Sequence, residues 1–335
     1  MKILVIRFSS IGDIVLTTPV VRALKQQLPD VRLHFLTKPA YADIMANNPH
    51  VDQVHTLKSL ATTLSEIRKE KFDVIIDLHK NLRTLFLKFL TPGKKYSYDK
   101  LNWQKWLMVN LKINQLPSKH IVDRYMAAVS DLGVTIDEEG LDYFIPDKDE
   151  VENDWLPPSH RQGYVAVAIG GQHATKQLPK DRLIELCDRI NRPVVLLGGK
   201  TEAPLGEVVE QFFTQSSSTD RERILEFDLG KKARVYNGCG KFNLNQSASI
   251  ISNATVVFSH DTGLMHIAAA FQKDIFSIWG NTIPEFGMYP YRTKFTIFEN
   301  RSLSCRPCSK IGYQKCPKGH FKCMREVKFD FYLPE

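Results

Sequence analysis

The stretch SHDTGLMH, residues Ser259–His266, decides the fold of this chain. It follows a β-rich run, Thr255–Phe258, and leads into a helix of small residues, Ile267–Ala270. A polar, glycine-containing loop between a strand and a helix directs backbone N–H groups and the positive end of the helix dipole at an anion. The stretch therefore predicts an α/β fold with a phosphate-binding turn.

A second loop of the same kind lies near the other end of the chain. There the apolar strand Lys2–Ile6 runs into RFSSIGD, residues Arg7–Asp13, and then into an apolar helix. Open parallel sheets carry their ligand-binding loops at the carboxyl ends of strands. The two loops therefore predict two Rossmann-like halves.

Strands and helices alternate along both halves of the sequence. In the first half we predict strands at 2–7, 31–36, 51–56 and 72–78 and helices at 13–28, 39–46 and 59–70. In the second half we predict strands at 164–169, 193–197, 233–236, 255–259 and 274–278, and helices at 180–190, 203–213, 244–252 and 264–271. An acidic, proline-containing loop near 149–159 separates the halves, and a polar insertion occupies 214–232. Continuously apolar strands such as Val74–Ile76 indicate parallel sheets that are covered on both faces.

The pairing of S-x-G-D at 10–13 with D-T-G-x-x-H at 261–266 resembles the pattern of the ADP-heptose:lipopolysaccharide heptosyltransferases of glycosyltransferase family 9. The resemblance implies a GT-B fold, in which two Rossmann-like doubly wound domains face a central cleft. It implies an acceptor-binding domain at 1–153 and a nucleotide-sugar-binding domain at 160–335. The implied reaction is inverting transfer of a heptose or related sugar from an ADP-sugar to a phosphorylated lipopolysaccharide inner-core acceptor.

Asp13 is the candidate catalytic base. An acceptor hydroxyl group must lose a proton as it attacks the donor sugar, and a carboxylate in the cleft can accept that proton. On the residues alone, a carboxylate that merely caps the first turn of its helix is the slightly better interpretation. The resemblance reverses this order, because Asp13 stands at the position of the family's base.

Lys176 is the candidate that meets the negative charge of the leaving diphosphate. It ends the loop that begins at Gly170, and lysine is a compact charge suited to phosphate. Read alone, it is an ordinary solvated lysine. The resemblance places it at the position of a lysine that contacts both sugar and phosphate, so we predict a catalytic role.

The remaining donor site is predicted in the late loop. We expect Thr262 and Gly263 to contact the diphosphate and Asp261 the sugar hydroxyls. His266 is expected to reach a phosphate oxygen, with a buried histidine bonded to a carbonyl group as the alternative. No catalytic metal is expected. The other predicted donor-binding residues are Ser10, Gly12, Gly171, Thr175 and Leu264.

Acceptor recognition is assigned to the first domain by the same resemblance, in which the acceptor is a phosphorylated glycolipid. The candidates are Lys80, Arg83, His120 and Arg124, each of which is otherwise an ordinary surface or cap residue. Trp103 and Trp106 lie among lysines at helical spacing. That spacing predicts either an amphipathic helix on a membrane surface or aromatic packing in the core.

Four of the six cysteines are grouped near the end of the chain. The spacing C-x2-C-x7-C-x6-C within 305–323 is typical of a four-thiolate metal site. We predict structural zinc, or iron, at this site, and His320 is a possible replacement ligand. The predicted ligands are Cys305, Cys308, Cys316 and Cys323.

Composition narrows the class of protein. The net charge of +8 favours an acidic substrate, an anionic membrane surface or nucleic acid as partner. No signal peptide or membrane span is evident, which predicts a cytoplasmic protein, with peripheral contact to the inner membrane face as an option. A zinc-containing nucleic-acid-binding protein and a transferase that uses another nucleotide sugar are the alternatives. A dehydrogenase is disfavoured, because the first loop lacks G-x-G-x-x-G.

Overall fold

Two parallel β-sheets form the frame of the protein. The computed structural model describes residues 1–215 and 234–334. The first sheet has the order β3-β2-β1-β4-β5 and the second has the order β11-β10-β9-β6-β7-β8. The strands of the first sheet are β1 (Lys2–Ile6), β2 (Arg32–Thr37), β3 (Gln53–Thr56), β4 (Val74–Asp77) and β5 (Lys94–Ser97). Those of the second are β6 (Val165–Ala168), β7 (Val194–Leu197), β8 (Val235–Asn237), β9 (Val256–His260), β10 (Ile275–Trp279) and β11 (Phe295–Glu299).

Helices connect the strands and cover both sheets. In the first half they are α1 (Ile11–Val15), α2 (Thr18–Gln27), α3 (Asp43–Ala46), α4 (Leu60–Glu70), α5 (Leu82–Leu90), α6 (Asn102–Asn110) and α7 (Ile121–Ala127). In the second half they are α8 (Lys180–Ile190), α9 (Ala203–Gln215), α10 (Leu244–Asn253), α11 (Gly263–Ala270) and α12 (Lys322–Arg325). Every strand pairing is parallel, as the apolar strands predict.

The sequence pattern explains why these segments fold as they do. All four residues of β4, β6 and β7 are buried, so each strand is packed on both faces. In α8 the buried residues recur at helical spacing: they are Leu183, Ile184, Leu186, Cys187 and Ile190. The predicted α/β class is confirmed by this arrangement of sheets and helices.

The predicted single helix at 13–28 is wrong. Two helices, α1 and α2, occupy this region, with Leu16 and Thr17 between them. Pro19 stands in the first turn of α2, where its missing N–H group costs no helical hydrogen bond. Further along a continuous helix the same residue would remove a hydrogen bond, so the chain restarts instead.

The predicted loop between the halves is more closely attached to the second half than expected. Asp149 accepts hydrogen bonds from the side-chain amides of Asn243 and Asn245, at 2.9 and 2.8 Å. The backbone N–H of Val151 donates to Ser249 Oγ at 2.9 Å. Residues 216–232 of the polar insertion lie outside the described residues.

In the part of the chain that the structure describes, no helix combines the length and the apolar character needed to cross a bilayer.

Candidate active site

The two glycine-containing loops from opposite ends of the sequence are in direct contact. A Cβ atom on Gly12, in α1, would lie 2.4 Å from Cδ2 of His266, in α11. A Cβ atom on Gly263 would lie 2.7 Å from Cβ of Ile11. Neither distance is compatible with a side chain, so glycine at both positions permits the contact. One site is therefore built from both sheets.

Asp13 lies at this contact with its carboxylate held on both oxygens. Oδ2 accepts hydrogen bonds from the backbone N–H of Ser10 at 3.1 Å and from the Ser10 hydroxyl at 2.8 Å. Oδ1 pairs with Nη2 of Arg7 at 2.5 Å. Asp13 does cap the start of its helix, as the alternative interpretation proposed, and 22% of its side chain remains exposed in the same place.

The surroundings keep Asp13 ionised. Burial raises the pKa of a carboxyl group, but the charge of Arg7 and the hydrogen bonds from Ser10 outweigh burial, so the pKa of Asp13 is lowered overall. The carboxylate is thus in its proton-accepting form at neutral pH. Its exposed part can accept a proton from a group that comes into contact with it.

Arg7, which contacts Asp13, is a residue of the candidate site that the sequence reasoning missed. Its side chain is almost fully buried and donates to the carbonyl groups of Ser9 and Leu78 and to the hydroxyl of Tyr125, at 2.9, 2.5 and 2.9 Å. These bonds fix the guanidinium group beside Asp13. The available signal was a charged residue directly after the apolar run Ile3–Ile6.

Lys176 and Asp261, both predicted to bind the donor, are paired with each other. Lys176 Nζ lies 2.6 Å from Asp261 Oδ2 and 3.1 Å from the carbonyl oxygen of Asp261. The Thr282 hydroxyl donates to the same Oδ2 at 2.8 Å. Among the described residues, the hydrogen bonds to the Asp261 carboxylate all fall on Oδ2. Thr282 is a further residue that the sequence reasoning did not identify.

The loop that carries Lys176 is held against the late loop. His260 is buried at the end of β9, and its Nε2 accepts a hydrogen bond from the Leu178 N–H at 3.1 Å. A Cβ atom on Gly171 would touch Thr262 Cγ2 at 3.4 Å. The hydroxyl of Thr175, also predicted to bind the donor, instead exchanges two hydrogen bonds with the backbone of Tyr313, at 2.8 and 3.0 Å.

His266 is buried in the first turns of α11. Burial lowers its pKa to about 4, so the ring is neutral at neutral pH. Its Nδ1 has no hydrogen-bond partner among the described residues, which does not fit the alternative of a histidine bonded to a carbonyl group. Thr262, Gly263 and Leu264 at the start of the helix are all partly exposed, and within the described residues the Thr262 side chain makes no capping hydrogen bond to the first turn. The N–H groups at a helix start have no partner inside the helix, so an anion can accept from them.

The four acceptor candidates have different surroundings. Lys80 donates to the carbonyl group of Tyr98 at 3.0 Å, and Arg83 is exposed on α5. Both ring nitrogens of His120 are bonded to the chain, to the Tyr289 carbonyl and the Val122 N–H. Of the four candidates, Arg124 is the best placed to bind an anion. It is buried, and only its Nη2 has a partner, the carbonyl group of Phe286 at 3.1 Å; its Nε and Nη1 have none among the described residues.

Two lysines that the sequence reasoning did not select face the same region. Burial lowers the pKa of Lys105 to about 8, and the nearby charges include Arg124, which lowers it further, and Asp13, which opposes the change. Burial also lowers the pKa of Lys100, with contributions from Arg7 and from Lys310 of the cysteine-rich tail. Half-buried cations that interact electrostatically with one another favour binding of an anion.

The four clustered cysteines are free thiols in the same tail. Cys305 Sγ lies 3.9 Å from Nε2 of His320, and Cys323 is buried. Within residues 1–215 and 234–334, no three His, Cys, Asp or Glu side chains are arranged closely enough to hold a metal ion. The zinc or iron site stays a prediction from spacing.

Comparison with known proteins identifies the family of this two-sheet chain. The sequence model of glycosyltransferase family 9 (heptosyltransferase) matches residues 61–317, which is more than half of the chain. The chain belongs to glycosyltransferase family 9. Membership confirms the prediction of a glycosyltransferase. The loop that carries Asp13 precedes the matched range.

Individual family 9 proteins are similar along most of their length. Lipooligosaccharide heptosyltransferase 2 of Haemophilus influenzae is 24% identical, with 93% of each chain covered. The family 9 structure from Veillonella parvula has a TM-score of 0.68 at 22% identity, covering 90% of this chain and 86% of that one. The E. coli heptosyltransferase WaaC, solved with ADP-2-deoxy-2-fluoro heptose, has a TM-score of 0.63 at 19% identity, covering 88% and 93%. These similarities confirm the GT-B fold.

Proposed function

We propose that this family 9 protein transfers a heptose from an ADP-activated donor to a phosphorylated lipopolysaccharide inner-core acceptor, with inversion at the anomeric carbon. The observation that carries the proposal is the contact between the Asp13 loop and the start of α11. It brings an ionised carboxylate next to a helix start suited to a diphosphate. The relatives named as heptosyltransferases, and the neighbour solved with an ADP-heptose analogue, support the choice of donor.

In the proposed step Asp13 accepts the proton of the acceptor hydroxyl group. The hydroxyl oxygen forms a bond to the anomeric carbon of the donor while the bond between that carbon and the phosphate oxygen breaks, and ADP leaves. Attack from the face opposite the leaving group inverts the anomeric centre. Arg7 positions the carboxylate and keeps it ionised.

The donor half of the site meets the charge of the departing ADP. We assign the diphosphate to Lys176, Thr262, Gly263 and the first N–H groups of α11, with His266 as a neutral partner. Asp261 binds sugar hydroxyls through Oδ1, because Oδ2 is held by Lys176 and Thr282. A cation, hydroxyl groups and a helix dipole together stabilise a diphosphate, so the proposal requires no divalent metal.

The acceptor half is assigned to the first domain, residues 1–153. The unpartnered nitrogens of the buried Arg124, together with Lys100 and Lys105, favour an acceptor that carries phosphate. Lys80 and Arg83 are placed further out along the same segment. The second domain, 160–335, holds the nucleotide. We propose a cytoplasmic site of action, since the donor is a nucleotide sugar.

The test is transfer from ADP-heptose to a purified inner-core acceptor, with ADP release and product stereochemistry measured. Asp13→Asn keeps an oxygen for the Ser10 hydrogen bonds and is expected to lower kcat by about 10²–10⁴-fold with unchanged ADP affinity. The matched control is Asp43→Asn, which alters an exposed aspartate in the first turn of α3. Loss of ADP binding together with activity would show that Asp13 is structural.

A different nucleotide sugar is the remaining alternative. Its test is a thermal-shift panel of ADP, UDP, GDP and CDP, because a ligand that binds only the native state raises Tm. Selective stabilisation by ADP is expected. Selective stabilisation by another nucleoside diphosphate would keep the transferase and replace the donor.

A further inference from the structure

The outer face of α5 is apolar and exposed. Leu82, Leu85, Phe86 and Phe89 follow the spacing i, i+3, i+4 and i+7, which places them on one side of the helix. Their side chains are 85%, 54%, 46% and 79% exposed, whereas Leu87 on the opposite face is buried. Grouped exposed apolar side chains of this kind mark an interaction surface.

The helix that carries this face is firmly attached to the first sheet. Asn81 caps it by accepting the Thr84 N–H at 2.9 Å, and Thr84 Oγ1 accepts the Asn81 N–H in return at 2.9 Å. Lys88 Nζ donates to Ser97 Oγ on β5 at 2.6 Å. The exposed apolar side chains of α5 therefore lie on a stable, capped helix, and their exposure does not arise from fraying of the helix end.

Two exposed tryptophans lie on the next helix. Trp103 and Trp106 of α6 are 63% and 47% exposed and stack on each other, with ring centroids 5.3 Å apart. The starts of α5 and α6 are held together, because Lys100 Nζ donates to the carbonyl groups of His79 and Lys80 at 3.1 Å. Of the two interpretations of these tryptophans, the exposed amphipathic helix fits the structure. Core packing does not. We call the exposed apolar residues of α5 and α6 the apolar face.

Basic residues surround the apolar face. Between Leu82 and Lys112 the chain carries seven Lys or Arg residues and one acidic residue, Asp99. Lys94 and Lys95 are exposed on β5, the edge strand of the first sheet that directly follows α5. Apolar and aromatic side chains flanked by lysines match the interface of a bilayer that contains anionic lipid.

We propose that the apolar face docks the protein on an anionic lipid bilayer, with Leu82 and Phe89 entering the acyl boundary and Lys94 and Lys95 contacting lipid headgroups. The nine residues of α5 lie in the plane of the interface and do not cross it. This inference goes beyond the proposed function, since the face binds lipid whichever sugar is transferred.

The docking surface borders the active site. Lys105 lies on α6 with the two tryptophans, and its Nζ is 5.8 Å from the ring centroid of Phe286 in the second half. At the end of α6, Lys112 Nζ donates to the carbonyl group of Pro307 at 2.6 Å. Docking through α5 and α6 therefore brings the mouth of the cleft to the bilayer, where a glycolipid acceptor enters without leaving the membrane.

The test is co-flotation of the full chain with phosphatidylcholine vesicles, with and without phosphatidylglycerol. The unsubstituted protein is expected to bind the anionic vesicles, and high salt is expected to weaken binding. The double substitution Leu82→Ser/Phe89→Ser should lower the partition coefficient at least about tenfold. Lys94→Glu/Lys95→Glu should cause a similar loss on anionic vesicles only. Trp155→Ser, at an exposed tryptophan outside the apolar face, is the matched control and should bind normally.

Two further measurements keep the result interpretable. The Leu82→Ser/Phe89→Ser protein should retain its Tm and its transfer rate to a water-soluble acceptor, because neither residue belongs to the core or the active site. Failure of transfer in every variant would count against the proposed function and not against docking. Absence of binding to anionic vesicles, or unchanged binding by both double variants, would overturn the docking proposal. A dimer that this apolar double substitution converts to a monomer would assign the face to a second copy of the chain.

Discussion

Arg7 and Asp13 form an ion pair across the first loop, with Nη2 of the arginine 2.5 Å from Oδ1 of the aspartate. The pair sets the protonation state of the proposed base. Burial alone would raise the pKa of Asp13, and the charge of Arg7 turns the shift downward. The pKa of Arg7 itself is raised despite its burial, since Asp13 is the main charge that favours its cationic form.

The acidic limb of the pH–rate profile tests this pair. In the unsubstituted protein the base stays ionised until the pH falls below the ordinary aspartate pKa of about 3.9. In Arg7→Gln only the hydrogen bonds from Ser10 still oppose the effect of burial, so the pKa of Asp13 rises and kcat/KM is expected to fall at a higher pH. Arg7→Lys retains the charge and is the matched control. An unshifted acidic limb in Arg7→Gln would show that Arg7 does not tune Asp13.

The contact between Gly12 and His266 tests whether the two loops must touch. Gly12→Ala adds a methyl group 2.4 Å from the histidine ring, which forces the loops apart even though alanine favours a helix by ~1 kcal/mol. We expect activity to fall by about 10²-fold, because small displacements of reacting groups are costly. Gly170→Ala is the control, since its Cβ would meet only ordinary contacts, 3.5 Å or longer. Equal activity in both variants would contradict the prediction.

Lys176 tests the donor half of the site. Lys176→Met removes the cation that pairs with Asp261 at 2.6 Å and leaves the carboxylate near the proposed diphosphate. Lost stabilisation of the leaving group is expected to lower kcat by about 10²–10³-fold and to weaken ADP binding. Calorimetry with ADP and steady-state rates measure the two effects. Lys180→Met, at the start of α8, is a control outside the site. Normal ADP affinity in Lys176→Met would leave Lys176 without a role in holding the diphosphate.

Buried histidines make stability depend on pH. Burial lowers the pKa of His260, His266 and His79 to about 4 and that of His120 to about 3. The unfolded chain takes up these protons near pH 6.5, before the folded chain does. The contribution of these neutral histidines to the free energy of unfolding is therefore fully present above pH 6.5 and is lost as the pH falls towards 4. Tm measured across this window should fall steadily.

One substitution isolates a single histidine in this effect. His260→Gln keeps a side-chain acceptor for the Leu178 N–H and removes the titrating ring. The substitution should reduce the slope of the free energy of unfolding against pH by up to about 1.4 kcal/mol per pH unit, which is the slope caused by the uptake of one proton. A slope identical to that of the unsubstituted protein would show that His260 does not contribute.

Metal analysis tests the cysteine-rich tail. If the four thiolates bind zinc or iron, the purified protein should contain metal, and Cys305→Ser/Cys308→Ser should remove it. Loss of metal should also lower Tm, because Tyr313 in the same tail is bonded to Thr175. Cys239→Ala, at a thiol outside the tail, is the control. Metal-free protein with unchanged Tm would refute the prediction from spacing.

The sequence by itself determined the class of fold and the two loops of the site. Parallel sheets require apolar strands and helical crossovers, and both are local patterns that can be seen in segments such as Val74–Ile76 and Ser259–His266. Local patterns were weaker where a single residue decides that a new helix begins, as Pro19 does in the first turn of α2. They also gave no strand at Lys94–Ser97, because an exposed edge strand lacks the apolar run of a buried one.

Only the tertiary structure decided which charged groups act together. Arg7 and Tyr125 lie 118 residues apart in the chain, as Lys176 and Asp261 lie 85 apart, and both pairs are in contact. Such partners are set by how the helices and loops of each half pack around its sheet, which no local spacing encodes. The exposure of the α5 face was likewise undetermined, because an apolar helix has the same sequence pattern whether it faces the core or the solvent. The two ion or hydrogen-bond pairs and the exposure of α5 have the same physical reason. Helix and strand propensity depend on neighbours in sequence, whereas burial and pairing of side chains depend on neighbours in space.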